Sequence, residues 1–91
     1  MGMDLDPIND NKTDLHYNWN GWSWLTERLI EWGVDVSEFT GYNDGDVISA
    51  ATCRKVGDAI EAHIEEIEER HQVWLSPHIE RWRTSGGFRQ F

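Results

Sequence analysis

Six tryptophans share a chain of 91 residues, and no other feature restricts its folding as much. An indole hides more apolar area than most other side chains and is a frequent anchor of contact surfaces. A chain of this length makes one domain and buries about 60–65% of its unfolded surface. Six such rings exceed what so small a core needs, so some are expected where the molecule meets another.

The apolar spacings are helical. Trp22, Leu25, Leu29 and Trp32 recur at intervals of three, four and three, which is one face of a helix. They predict a helix over 19–32, with Asn18 as N-cap and Gly33 as C-cap. Gly21 weakens its first turn by about 1 kcal/mol against Ala and leaves room for a backbone or a ring to come close. Cys53, Ile60, Ile67 and Trp74 recur every seven residues, each followed four residues later by Gly57, Ile64, His71 and His78. That amphipathic stripe, capped by Ser49, predicts a second helix over 50–73 with its glutamates toward solvent. Ser76-Pro77 breaks it, and Pro suits the first position of a new helix. Ile79 and Trp82 then give a short third helix over 77–84, ended by Gly86-Gly87. Phe88 and Phe91 mark an aromatic tail that docks on the body.

Asn43-Asp44-Gly45-Asp46 reads as a tight turn, and Leu15–Tyr17 and Val47–Ile48 as briefly extended. Residues 1–14, acidic and carrying Pro7 and the turn-prone run Asn9-Asp10-Asn11, read as a flexible arm. The expectation is therefore a mainly α protein: an arm over 1–14 and a single helical domain over 15–91. Its two longer helices pack antiparallel, closed by the short helix and the tail.

The net charge is -9, which argues against direct nucleic-acid binding, since such proteins carry a basic footprint. The bases gather late: Arg70, Arg81, Arg83 and Arg89 lie in 70–91 with the single acid Glu80. No apolar run approaches the roughly 18 residues of a membrane span, and no membrane role is expected. The first residues lack the regions of a secretion signal, and Cys53 is the sole cysteine, so a cytoplasmic setting is expected.

Few constellations point to chemistry. His63 and His71 stand about 12 Å apart along a helix at about 1.5 Å per residue, too far for one ion, so no metal and no cofactor are expected. Asn43–Asp46 lacks the alternating ligands of a calcium loop; as exposed oxygens, Asn43, Asp44 and Asp46 can receive a basic group. Cys53 lies on the apolar stripe and reads as core. No catalytic pair can be assembled, so no enzyme is expected. His78, Arg81, Arg83, Gly86 and Gly87 combine forked donors with approachable backbone, a candidate anion site. Trp19 and Trp24 fall off the apolar faces and are candidate contact anchors.

Asn18-Trp19-Asn20-Gly21-Trp22, Asn43 through Cys53 (NDGDVISAATC) and Pro77 through Gly87 (PHIERWRTSGG) together resemble a family of small bacterial proteins with no assigned activity. The likeness covers residues 16–91. It implies no reaction; by analogy with small families of that kind it implies a phage-related or toxin–antitoxin role.

The function expected is a non-enzymatic, acidic interaction module, an inhibitor or regulator that engages a basic or nucleic-acid-binding protein and that can form a homodimer. The alternative is a binder of a small anion or nucleotide through the Arg/Gly segment.

Overall fold

Alternation with a period of two, not helical periodicity, governs both ends of the chain. Met3 and Leu5 are buried while Asp4 and Asp6 are exposed, and Leu15 and Tyr17 are buried while His16 and Asn18 are exposed. That pattern is a strand with one face in the core. In the computed structural model, which describes residues 2–9 and 14–91, the strands are β1 (Gly2–Pro7), β2 (Leu15–Asn18), β3 (Val47–Ser49) and β4 (Gly87–Gln90). They form one antiparallel sheet in the order β2-β1-β4-β3.

The expectation of a mainly α, all-helical protein is thereby corrected to a mixed α/β fold. The segment read as a flexible arm supplies β1, an inner strand of the sheet. Asp10 and Asn11 of the expected turn lie outside the described residues. The aromatic tail is β4, which threads between β1 and β3. These strands are short, and the decisive pairing joins the two ends of the chain: Leu5 sits opposite both Leu15 and Gln90. No local window of sequence carries that information.

Four helices cover one face of the sheet. α1 (Trp19–Glu31) starts where expected, with Asn18 Oδ1 accepting the Gly21 amide at 2.7 Å. α2 (Ala50–His63) is capped by Ser49, whose hydroxyl accepts the Thr52 amide at 3.3 Å. The single second helix expected over 50–73 is instead broken: a 3₁₀ turn at Ile64–Glu66 follows α2, and α3 (Glu69–Leu75) begins anew after an extended Ile67. Neither Gly nor Pro marks the break. It falls within the run Glu65, Glu66, Glu68, Glu69, where like charges crowd a continuous helix. The Gln72 side chain donates to the Ile67 carbonyl at 2.9 Å, satisfying the broken backbone. Packing gains from the bend, because it buries Leu75 and lays the Trp74 ring 3.3 Å from where a Cβ on Gly21 would stand.

α4 (His78–Thr84) follows Pro77 as the sequence predicts. Its main partner is α2 rather than α1 packing on α2. Gly57 makes that approach possible: a Cβ there would lie 2.9 Å from the Ile79 carbonyl oxygen and 2.8 Å from Arg83 Cγ. Between helices and sheet, Phe39 stacks with Trp22 (5.0 Å, 15°) and with Trp82 (6.1 Å, 8°), and Trp82 meets Phe88 edge-on at 5.0 Å. The core thus takes rings from every layer of the chain, each contributing about 1.5–3 kcal/mol by burial.

Candidate functional site

An antiparallel sheet covered on one side presents its other side to solvent. Here that open face is made by the exposed half of each alternation. Asp4 is paired with His16 on one side and, through reciprocal backbone bonds of 2.9 and 2.8 Å, with Phe91 on the other. The next row is Asp6, Arg89 and Val47. Ile8 follows, lying over Gly87.

Three apolar side chains on this face remain substantially exposed: Ile8 at 45%, Val47 at 42% and Phe91 at 47%. Lone exposed apolar residues are ordinary, but three on one surface are informative. The carboxylates around them are Asp4 and Asp6, with Asp44 and Asp46 in the turn where Gly45 meets the Phe91 ring. Asp4 contacts His16 Nδ1 at 2.6 Å. Asp6, Asp44 and Asp46 form no ion pair with another described residue. Among the described residues the one permanent cation on the face is Arg89, and it forms no ion pair with any of them either.

The residues singled out from sequence are distributed, not gathered. Asn43 Nδ2 donates to the Gly2 carbonyl at 3.0 Å, and Asp44 Oδ1 accepts the Asp46 amide at 3.1 Å, so this turn is tied to the rim of the open face. Trp19 is 37% exposed at the start of α1. Trp24 is half-buried on another side of the molecule, 4.3 Å from the His71 ring, with the Arg28 guanidinium 5.6 Å over it.

The tail residues do not converge on a ligand. Arg83 donates to Asp58 at 2.9 Å, to Glu61 at 2.5 Å and to Glu80 at 3.2 Å. These bonds raise its pKa and hold the Glu61 carboxyl below its ordinary range. Gly86 stands against Asn9, and the Gly87 amide donates to Ser85 Oγ at 3.1 Å, so both glycines serve the turn into β4. His78 Nδ1 lies 2.8 Å from the Tyr17 hydroxyl, which also accepts from Trp82 Nε1 at 3.2 Å. Burial, with the nearby Arg81 charge, pushes the His78 pKa down to about 4, and burial raises that of Tyr17. Arg81 forms no ion pair among the described residues.

Other chemistry is limited. Cys53 is buried, its thiol pushed up to about 11 by desolvation, which leaves it a poor nucleophile. Among the described residues no group of three or more His, Cys, Asp or Glu is placed to hold a metal, and no helix is long and apolar enough to cross a membrane.

Asp4, Asp6, Arg89, Val47, Ile8 and Phe91 were not singled out from sequence. The signal was present in Met3-Asp4-Leu5-Asp6 and in Phe88-Arg89-Gln90, but each alternation spans only three or four residues. Comparison of the chain with known protein families, with curated proteins and with solved structures gave no match.

Proposed function

We propose that this protein is a non-enzymatic interaction module, acting in the cytosol, whose open sheet face engages a basic surface of another protein. What supports the reading is the composition of that face: exposed Ile8, Val47 and Phe91 among Asp4, Asp6, Asp44 and Asp46, with Arg89 as the only permanent cation there among the described residues. Apolar anchors supply burial on contact, and a ring of like charge selects partners and speeds encounter. An inhibitor that places carboxylates where phosphates would lie, on a nucleic-acid-binding protein, is one concrete form of this role. A second copy of the chain would bring the same acids face to face through this surface, so the partner proposed is a different, basic protein.

The test is a pull-down from source cells with the wild-type chain and the Asp4→Lys/Asp6→Lys variant. The salt is set at about 0.1 M and at about 1 M, where the screening length falls from about 10 Å to about 3 Å. The expected partner is retained by the wild type at low salt only, and by the variant at neither. A partner held equally by both proteins, or unaffected by salt, contradicts the proposal.

A further inference from the structure

The molecule also carries a concave feature that shares no lining residue with the open face. The first half of α1 and the segment that follows Val36 enclose an open cleft of about 300 Å³. Trp22 and Phe39 form its apolar part, and Ser23, Thr26, Glu27 and Thr40 its polar part. Two of these four polar residues are already satisfied. The Thr26 hydroxyl donates to the Trp22 carbonyl at 2.8 Å, the Thr40 amide donates to Gln90 Oε1 at 3.1 Å, and Thr40 Oγ1 accepts the Tyr42 amide at 3.2 Å. Two side chains are left over. Ser23 has no hydrogen-bond partner and Glu27 no ion pair among the described residues, and four residues of helix set them on one face. Both accept, and Glu27 carries a full negative charge. The neighbouring cation Arg28 is held elsewhere, by Glu31 at 2.9 Å and over the Trp24 ring.

An apolar wall beside an unpaired carboxylate and a hydroxyl fits an alkyl chain that ends in a cation. The ring geometry separates the two natural candidates. A guanidinium gains from stacking on an aromatic face and from a bidentate carboxylate. Phe39 already stacks with Trp22 and with Trp82, which leaves less of its ring for a guanidinium. A lysine ammonium is a compact charge with rotatable donors and needs no ring face. Its stem would lie on the ring edges while its head reaches Glu27 and Ser23. We propose that this cleft receives a lysine side chain of the partner protein; the assignment rests on the reading of the molecule as a binder of basic protein surfaces.

The test follows backbone amide shifts as Nα-acetyl-lysine methylamide is added to the full chain at constant ionic strength, with the arginine and norleucine amides in parallel. Shifts confined to Ser23–Glu27 and Phe39–Gly41 are expected from the lysine compound. The neutral norleucine compound should bind about two- to five-fold more weakly, arginine should fall between them, and Glu27→Gln should reduce the lysine response to that of norleucine while Glu65→Gln preserves it. No shift at the cleft, an equal response to norleucine, or an undiminished response in Glu27→Gln overturns the site. If the cleft is silent while Asp4→Lys/Asp6→Lys still removes the partner, this inference fails and the binding reading stands. If the cleft responds but no salt-sensitive protein partner exists, the assignment to a protein-borne lysine falls.

Discussion

The side-chain amide of Gln90 donates to the main-chain carbonyl of Glu38 at 3.0 Å, joining β4 to a loop far away in sequence. The same amide donates to the Asp46 carbonyl at 3.1 Å and accepts from the Thr40 amide. Gln90 is fully buried, yet every capacity it has on this side is used. It fixes one wall of the cleft and the turn that rims the open face. Gln90→Leu keeps the volume and leaves the Thr40 amide and the Glu38 carbonyl without this partner. It is expected to cost about 2 kcal/mol and to lower Tm by about 10 °C, measured by thermal unfolding. An unchanged Tm would show that the loop is held by other contacts.

Glu38 locks the same loop to the start of α2. Its carboxylate accepts the Ser49 amide at 2.7 Å, the Ser49 hydroxyl at 3.2 Å and the Thr52 hydroxyl. The Thr52 hydroxyl, then the Ser49 amide, hold its pKa below the ordinary 4.5. A depressed carboxyl pKa means that the unfolded chain binds the proton first. Its contribution is therefore complete above pH 4.5 and is lost as the pH falls through the folded value. Glu38→Gln should cost about 2 kcal/mol at neutral pH and should flatten this acid limb in urea titrations taken at successive pH values. A variant with the wild-type pH profile would contradict the assignment.

Tyr17 and His78 set an earlier acid response. Trp82 donates to the Tyr17 oxygen, so the Tyr17 proton is directed to His78 Nδ1. The imidazole is kept neutral, its pKa moved from 6.5 to about 4, first by desolvation and then by Arg81. The unfolded chain takes up this proton at higher pH, so stability is full above pH 6.5 and declines between pH 6.5 and about 4. His78→Gln should remove that portion of the slope. Tyr17→Phe leaves the Trp82 N–H buried without an acceptor and is expected to cost about 1–3 kcal/mol. Stability independent of pH across this window would contradict the pairing.

Gly57→Ala tests how α2 and α4 meet. Alanine is the better helix former by about 1 kcal/mol, and at a solvent position it would stabilise. Here the added methyl meets the Ile79 carbonyl, which is backbone and cannot rotate away. The expected net effect is a loss of about 1–3 kcal/mol, read as a lower urea midpoint with an unchanged slope. A raised midpoint would show that α4 can shift at no cost.

Much of the helical layer could be read from residues alone. Asn18 and Ser49 cap as their side chains allow, Pro77 opens α4, and the room left by Gly21 is filled by a ring, that of Trp74. The break before α3 could not be read, because it is decided by Leu75 and Trp74 packing on distant elements and not by a breaker residue. The sheet was hidden for a similar reason. Its strands hold three to six residues, and β1 and β4 make sense only when paired with each other. The acidic charge of Asp4 and Asp6, which suggested an arm, belongs instead to the solvent side of an inner strand. The candidate site was therefore legible in its chemistry, carboxylates with exposed apolar groups, but not in its residues beyond Asn43, Asp44 and Asp46.

The most direct measurement is site-specific photo-crosslinking. A photoreactive phenylalanine is placed at Phe91 or Val47 on the open face, and at Val73 on α3, which is also exposed. Each protein is irradiated in source-cell extract at about 0.1 M and about 1 M salt. Adducts to one basic protein from positions 91 and 47 at low salt, fading at high salt and lacking at 73, are predicted. An adduct to the bound partner from position 73 alone, with none from 91 or 47, would contradict the open sheet face as the binding surface.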